Sequence, residues 1–245
     1  MNRGRSSLQN PIQTQRPRQQ ILDLRTQPAS LLVLGGGFVA LELGHFFARI
    51  GTQVTILQRG SHLLSDLDED LGRVVETAFR EEGITVHTGT RFDRFSQEGS
   101  DKVAHVTIHG QSRTCRAEMI LEAFGRRPNI DGLDLDAAGV RIEERRVTVE
   151  ADMRTSQPHI FAVGDVNDLF PIVHIAIQQG EVAGYNAVYP HKAQRRVDDR
   201  LNAQVVFTDP GVATVGLSEQ GCRAQGIAYL AASYPFNDHG KSMCL

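Results

Sequence analysis

Three consecutive glycines between an apolar strand and a helix constrain this chain more than any other feature. The run Leu31–Leu34 is short and wholly apolar, which is typical of a strand buried on both faces. It leads through Gly35–Gly37 into a helical pattern over Phe38–Ile50, and residues 53–57 predict a second strand. A strand, a glycine turn, a helix and a strand in this order form a βαβ unit with a right-handed crossover.

Residues 35–40 read Gly-Gly-Gly-Phe-Val-Ala, which is a GxGxxA arrangement. Gly35 permits the tight turn, Gly37 lets the backbone come close to a pyrophosphate, and Ala40 keeps the helix close to the strand. The helix N-terminus adds free N–H donors and a partial positive charge. The sequence therefore predicts dinucleotide binding at this turn, with a merely structural turn as the alternative.

The rest of the chain alternates between helical and extended patterns, which predicts a doubly wound, Rossmann-like α/β fold. Apolar positions three and four residues apart mark helices, and short apolar runs mark buried strands. The predicted elements are helices over 66–82 and 172–188, an antiparallel β-meander over 91–116, and strands over 84–88, 119–123 and 155–165.

The composition excludes several classes of protein. With 40% hydrophobic and 22% charged residues, the chain is neither disordered nor a coiled coil as a whole. No apolar run reaches the about 18 residues that span a bilayer, and a formal net charge of −3 gives no general attraction to nucleic acid or anionic lipid. We therefore expect a soluble, cytoplasmic protein with no nucleic-acid or membrane partner. The cysteines, Cys115, Cys222 and Cys244, form no CxxC or CxxxxC pair, and no metal site is predicted.

The first 22 residues differ in composition from the rest of the chain. They contain four arginines and no acidic residue, and they are rich in Gln, Asn, Ser and Pro. Such a segment cannot bury a core, so a disordered leader is predicted over residues 1–29. A transit peptide, which is also rich in arginine and poor in acids, is the alternative.

The end of the second strand predicts which dinucleotide is bound. An NAD site has an acidic residue here to bind the ribose 2′-hydroxyl, whereas this chain has Gln58 followed by Arg59. An arginine can pair with the 2′-phosphate of NADP, and His62 could add a second contact. NADP(H) is therefore favoured over NAD(H), with Arg59 as a solvated turn residue being the alternative.

Four segments resemble, in order, the motifs of the flavin-dependent pyridine nucleotide-disulfide oxidoreductases, the family of dihydrolipoamide dehydrogenase, glutathione reductase and mercuric reductase. Residues 35–44 resemble the pyridine-nucleotide motif of that family. Residues 123–129, Ala-Phe-Gly-Arg-Arg-Pro-Asn, resemble its "ATGRxPN" segment, with Phe124 in place of the usual threonine. Residues 155–165 resemble its second flavin motif, "T…IxAxGD", and residues 205–219 resemble the opening of its interface domain.

The resemblance implies cofactor roles for individual residues. Phe38 aligns with an aromatic residue that covers the flavin in some members, and Glu42 with a carboxylate that pairs with a lysine beside flavin N5; an exposed helix residue is the alternative for Glu42. Gly125 would approach the nicotinamide, Asp165 would bind the flavin's ribityl or phosphate region, and residues 171–174 would line the isoalloxazine. The expected cofactor-binding residues are Gly35, Gly36, Gly37, Phe38, Val39, Ala40, Glu42, Gln58, Arg59, Gly125, Asp165, Pro171, Ile172, Val173 and His174.

The resemblance also divides the chain into segments. After the leader, we expect an NAD(P)-binding domain over 30–150, the returning part of an FAD-binding domain over 151–195, and a truncated α+β interface domain over 200–245. The family's members are homodimers, whereas dimerisation is doubtful for an interface segment this short.

Parts of the family's electron relay are not visible in this sequence. There is no N-terminal GxGxxG for the ADP half of FAD, no CxxxxC redox disulfide, and no C-terminal His-Pro…Glu pair. We therefore assign no catalytic residue and expect only a partial FAD site.

Three functions follow as hypotheses. The first is an FAD- and NAD(P)H-dependent oxidoreductase of this family that passes hydride from NAD(P)H to flavin. The alternative is a non-catalytic or truncated NADP(H)-binding module. A flavin-free NADP dehydrogenase is a third and weaker hypothesis, because the residues after 200 hardly provide a substrate domain.

Overall fold

A five-stranded parallel sheet is the centre of the computed structural model, which describes residues 16–17 and 21–235. Its strands are β1 (Arg16–Pro17), β2 (Ser30–Leu34), β3 (Gln53–Leu57), β4 (Thr85–His87) and β8 (Met119–Glu122). The order across the sheet is β1-β8-β2-β3-β4. The chain leaves β2 toward β3 and returns on the other side as β8, so a topological switch point lies at the carboxyl end of β2. The predicted parallel α/β sheet is confirmed.

The two faces of this sheet are covered by different layers. Helices α1 (Phe38–Arg49) and α2 (Glu69–Glu81) pack on one face, which we call the helix side. An antiparallel meander packs on the other face, the meander side; its strands are β5 (Thr90–Glu98), β6 (Asp101–Ile108) and β7 (Gln111–Ala117).

Successive residues of β2 serve the two layers in turn. Leu31 and Val33 belong to the helix-side core, whereas Leu32 and Leu34 belong to the meander-side core. Each of the four is no more than 1% exposed. Since side chains alternate across a strand, a strand buried on both faces has to be apolar at every position. This explains the unbroken apolar run that precedes the glycines.

The segment between the sheet and the last long helix is rich in turns. It contains the short hairpin β9 (Ile142–Glu143) and β10 (Arg146–Val147), and a 3₁₀ turn over Gly164–Val166. The predicted strand over 155–165 is wrong. Only an isolated bridge joins Arg154 to Phe161, and the N–H of Thr155 donates to the carbonyl of Ile160 at 2.9 Å across a tight turn. Pro158 lies inside this turn and has no N–H to donate to a strand partner.

The last described part of the chain contains two helices and a short hairpin. It comprises α3 (Val173–Val188), a 3₁₀ turn (Asp199–Leu201), β11 (Ala203–Val206), β12 (Val212–Val215) and α4 (Glu219–Gln225). Val182 and Ala183 of α3 form a separate small core with Met153 and Val197. Val206 and Val212 belong to the helix-side core. The carboxylate of Asp68, the residue before α2, accepts hydrogen bonds from the N–H groups of Glu219 and Gln220 at 2.9 and 2.8 Å. Asp68 therefore caps the start of α4.

Packed structure begins before the boundary predicted at Ser30. Residues 1–15 and 18–20 of the predicted leader lie outside the described residues. Of the remainder, β1 pairs in parallel with β8, and Ile21 is only 3% exposed within the helix-side core. The edge of β8 that faces away from β2 has unpaired backbone groups, and β1 pairs with them. Sequence composition does not reveal such an edge.

A chain of charged side chains connects α1, the end of α2 and the β11–β12 loop. His45 is 4% exposed, and its Nε2 lies 2.8 Å from Glu82 Oε2. Arg49 Nη2 lies 2.7 Å from both Glu82 Oε1 and Asp209 Oδ2. The hydrogen bond from Arg49, opposed by desolvation and aided by His45, lowers the pKa of Glu82 to about 2. The same contacts raise the pKa of Arg49.

The free energy of unfolding should therefore depend on pH through Glu82. Its pKa is lower in the folded protein than the ordinary 4.5, so the unfolded chain binds the proton more readily. The contribution is complete above about pH 4.5 and is lost as the pH falls toward about 2. Urea unfolding across this range should show a weaker acid dependence in Glu82→Gln than in the wild type. Glu81→Gln removes the neighbouring carboxylate and is the control; an equal effect in both variants would contradict the assignment.

Candidate functional site

The turn after β2 shows why glycines stand there. Gly35 has φ +126°, and a Cβ at this position would lie 2.4 Å from the carbonyl oxygen of Ala123. A Cβ on Gly36 would lie 2.9 Å from the side chain of Gln58. A Cβ on Gly37, in contrast, would meet no atom within 4 Å. Gly35 is thus required by the packing of the backbone, and Gly36 lies close against the side chain of Gln58, whereas Gly37 is exposed and leaves open space above the backbone.

The N-terminus of α1 opens onto that space. Gly37 is its N-cap, no side chain caps it, and the bond from Leu41 N–H to the carbonyl of Gly37 starts the helix at 3.1 Å. The N–H groups of Phe38, Val39 and Ala40 precede this bond and have no carbonyl partner within the helix. Such a terminus attracts anions, because unpaired donors and the helix dipole act together.

The side chains of the first turn of α1 pack against the rest of the protein. Ala40 is buried, Phe38 and Val39 are half-buried, and Phe38 packs against the helix-side core. Glu42 Oε1 accepts a hydrogen bond from the N–H of Phe207 at 3.0 Å. Glu42 therefore holds the loop after β11 in this structure, a contact that the sequence did not indicate.

Gln58 and Arg59, at the end of β3, have different environments. Gln58 is 8% exposed; its Nε2 donates to Ser65 Oγ at 3.3 Å and to the carbonyl of His62 at 3.4 Å. Its Oε1 accepts from the N–H of Arg59 at 3.1 Å. Gln58 thus shapes the loop over 59–65, and its direct contact with a cofactor stays a prediction. Arg59 is exposed, and its guanidinium carbon lies 5.4 Å from the centre of the Phe124 ring.

The end of β8 completes this edge of the sheet. The N–H of Ala123 donates to the carbonyl of Leu34 at 3.0 Å, which places residues 123–125 beside the glycine turn. Gly125 is exposed with φ +103°, and a Cβ on it would meet no atom within 4 Å. Gly37 and Gly125 thus leave bare backbone after two adjacent strands, at the edge where open α/β sheets bind ligands.

His87, at the end of β4, lies at the same edge among basic side chains. Burial lowers the pKa of His87, and Arg113, Arg80 and His109 lower it further. Arg80 is itself paired with Glu76 Oε1 at 2.7 Å. His62, in the loop after β3, is held by its Nδ1 at 2.8 Å from the carbonyl of Leu63.

Arg126 connects the edge that carries the glycine turn to the second predicted cofactor region. Its Nη1 lies 2.7 Å from Asp165 Oδ2, and its Nη2 donates to the carbonyl of Pro171. The side chain of Asp165 is 52% exposed, so its other oxygen is accessible to a hydroxyl ligand. Arg126 belongs to the motif at residues 123–129. Its ion pair with Asp165, 39 positions further along the chain, could not be inferred from the sequence.

Hydrogen bonds to a residue of α3 hold the segment that carries Asp165 in place. Gln179 is fully buried, and its Oε1 accepts hydrogen bonds from the N–H of Gly164 at 2.7 Å and from Asn167 Nδ2 at 3.0 Å. These two bonds fix the 3₁₀ turn on which Asp165 sits. Sequence reasoning missed Gln179, because a glutamine within a helix gives no sign that it is buried.

Residues 172–174 form the start of α3. Ile172 is the N-cap without a side-chain capping bond, and Val173 is 78% exposed. His174 Nε2 lies 3.0 Å from the carbonyl of Ala203, so its ring is engaged with β11. The structure therefore brings Asp165, Pro171 and the open helix start together, and it places the His174 ring against the following segment.

Residues 16–17 and 21–235 contain no helix that is long and apolar enough to cross a membrane. Within the same residues, no group of three or more His, Cys, Asp or Glu side chains could hold a metal ion. Cys115 on β7 and Cys222 in α4 are free thiols on separate elements, and Cys244 lies outside the described residues.

Comparison with known proteins decides the family. Residues 6–180 match the family model described as pyridine nucleotide-disulphide oxidoreductase. The chain belongs to this family. Its turn at Gly35–Gly37 and its cluster around Asp165 both fall within the matched residues. The predicted family and Rossmann-like fold are thus confirmed.

Similar proteins of the family are considerably longer. A mercuric reductase of Bacillus cereus is 34% identical over 218 residues, which are 89% of this chain and 34% of the relative. A dihydrolipoyl dehydrogenase of Mycobacterium tuberculosis is 34% identical over 225 residues, or 91% of this chain and 48% of the relative. This chain therefore spans between a third and a half of the curated relatives that it matches.

Solved structures agree with this comparison. LpdA from M. tuberculosis has a TM-score of 0.78 at 28% identity, covering 93% of this chain and 49% of that one. The HOCl-induced flavoprotein disulfide reductase RclA from Escherichia coli, solved as a Cu(II) complex, has a TM-score of 0.76 at 27% identity, covering 86% and 47%.

Proposed function

We propose that this chain is the pyridine-nucleotide part of an FAD- and NAD(P)H-dependent oxidoreductase, and that it binds NADP(H) in preference to NAD(H). The observation that carries the proposal is the uncapped N-terminus of α1 beside the open backbone of Gly37. A pyrophosphate fits this position because both the donors and the space are present. Membership of the family supports the assignment.

The preference for NADP(H) rests on the residues at the end of β3. No carboxylate stands in the Gln58–Arg59 pair, and Arg59 presents its guanidinium at the surface. A 2′-phosphate can take two parallel hydrogen bonds from such a group.

The residues around Asp165 fit one end of FAD. Asp165 has an accessible carboxylate oxygen, and the N-terminus of α3 lacks a side-chain cap, which suits a cofactor that gains negative charge. Asp165 and residues 171–173 would hold the flavin there, while Arg126 keeps them together. When bound, the flavin supplies the acceptor for the hydride that NADPH releases. The two described cysteines offer no dithiol pair for a further step. A cytoplasmic location remains a prediction, as does the expectation that dimerisation is doubtful for this chain.

Calorimetric titration with NADPH and NADH tests the nucleotide assignment. We expect Arg59→Ala to weaken NADPH binding by about 10- to 100-fold, since a charged hydrogen-bonding pair is lost, and to change NADH binding little. Arg116→Ala removes an arginine at the other end of the meander and should leave both affinities unchanged. Equal losses for NADPH and NADH in Arg59→Ala would contradict the preference for NADP(H).

The visible absorption spectrum of the purified protein tests the oxidoreductase assignment. A yellow protein that retains FAD, and whose flavin is bleached by NADPH, supports hydride transfer. A protein that NADPH stabilises thermally, but that neither takes up added FAD nor shows diaphorase activity, would instead establish the non-catalytic NADP(H)-binding module.

A further inference from the structure

The guanidinium of Arg59 is held by an aromatic ring rather than by an acid. Its carbon lies 5.4 Å from the centre of the Phe124 ring, and within residues 16–17 and 21–235 it forms no ion pair with a carboxylate. By contrast, Arg49 and Arg126 are each paired with an acid at 2.7 Å. Arg59 is thus a positioned cation whose charge is not neutralised by the protein.

Phe124 is itself fixed by the meander. Its ring meets the buried Phe92 edge-to-face, with centroids 5.4 Å apart and an interplanar angle of 74°. Phe92 in turn stacks on Phe95 at 5.9 Å. Phe124 is 38% exposed, so one part of the ring is anchored and another part carries Arg59. The position of Arg59 therefore depends on the meander through a row of three aromatic rings.

A guanidinium that lies over a ring keeps its hydrogen-bonding capacity. The ring attracts the charge through its face, whereas the N–H donors point outward in the guanidinium plane. A phosphate can accept from those donors without displacing the ring. The arginine side chain also loses rotamer freedom before the ligand arrives, which lowers the entropic cost of binding.

The ends of β3 and β8 place this pair on either side of the glycine turn. Arg59 follows β3 and Phe124 follows β8, and both strands neighbour β2 at the carboxyl edge. Threonine, which the family's motif usually has at the position of Phe124, has no aromatic face. The ring is therefore a feature of this chain rather than of the motif.

We propose that Phe124 is a positioning residue that holds the Arg59 guanidinium for the 2′-phosphate, so that selectivity for NADP(H) depends on this aromatic side chain. This inference rests on the proposed binding of NADP(H). It makes the meander, through Phe92 and Phe95, a determinant of nucleotide choice.

Two nucleotide fragments test the proposal, because 2′,5′-ADP and 5′-AMP differ only in the 2′-phosphate. Phe124→Thr should weaken 2′,5′-ADP about three- to tenfold and leave 5′-AMP within about twofold, as expected for loss of one cation–π contact. Phe124→Tyr keeps the aromatic face and should retain wild-type affinity for both. In an Arg59→Ala background, Phe124→Thr should have no further effect on 2′,5′-ADP.

Other outcomes overturn the proposal. Equal losses for both fragments in Phe124→Thr mean that the ring stacks on the purine, and unchanged affinities mean that Arg59 needs no positioning. Phe124→Leu, which keeps apolar volume without the aromatic face, gives the same comparison if the threonine variant does not fold. If NADP(H) binding itself is wrongly assigned, the wild-type protein will bind both fragments equally and Arg59→Ala will change neither.

Discussion

Gly35→Ala should destabilise the protein by at least about 2 kcal/mol and remove nucleotide binding with it. The added Cβ would lie 2.4 Å from the backbone oxygen of Ala123, and φ at this residue is +126°. Neither the oxygen nor the turn can move without disturbing the bond from Ala123 N–H to Leu34 in the centre of the sheet. Strain of this kind typically costs 1–3 kcal/mol before the clash is added. Urea unfolding gives the stability, and titration with NADPH gives the affinity.

Gly37→Ala separates packing from ligand binding at the same turn. Gly37 has φ −87°, which alanine adopts readily, and its added Cβ would point into open space. We expect stability within about 0.5 kcal/mol of the wild type, as for other surface substitutions. NADPH affinity should nevertheless fall at least about tenfold, because the methyl group would occupy the space proposed for the pyrophosphate. Unchanged affinity in a folded Gly37→Ala protein would place the pyrophosphate elsewhere.

Gln179→Met should cost about 1–3 kcal/mol of folding free energy, the usual penalty for a buried donor that loses its acceptor. Methionine has a similar length but cannot accept a hydrogen bond, so the N–H of Gly164 loses its partner, whereas Asn167 Nδ2 keeps its bond to the carbonyl of Ala162. The turn that carries Asp165 should loosen as well. Thermal unfolding measures the first effect, and amide hydrogen exchange at Gly164 measures the second.

Gln178→Met is the matched control on the same helix. Gln178 is exposed, so the same change of side chain removes no buried hydrogen bond. If the Tm falls equally in both variants, the lost stability comes from replacing any glutamine of α3 by methionine. The hydrogen bonds of Gln179 to the Asp165 turn would then not be its cause.

Local chemistry explains which features could be predicted from sequence. The tight turn expected at Gly35 and the close packing expected at Ala40 agree with the structure, because both depend on residues a few positions apart. The apolar run of β2 likewise predicted a buried strand, since both faces of its sheet are covered.

The features that could not be predicted depend on partners far along the chain. Glu42 binds the N–H of a residue 165 positions away, and Arg126 pairs with Asp165 across 39. The apolar residues around Phe161 predicted a strand, but a strand forms only where another strand offers a complete row of partners. Gln58 lies at the end of β3, as the sequence predicts. Its side-chain amide donates to Ser65 in the loop over 59–65, which could not be predicted.

The segment from β11 to α4 is fastened to the helix side of the sheet by three polar contacts and by the buried Val206 and Val212. Asp68 caps α4, Arg49 binds Asp209, and Glu42 accepts a hydrogen bond from the N–H of Phe207. These contacts act like a multivalent attachment, in which each keeps the partners of the others at high effective concentration. Rupture of one is therefore readily reversed, and release of the segment requires all of them to open at once.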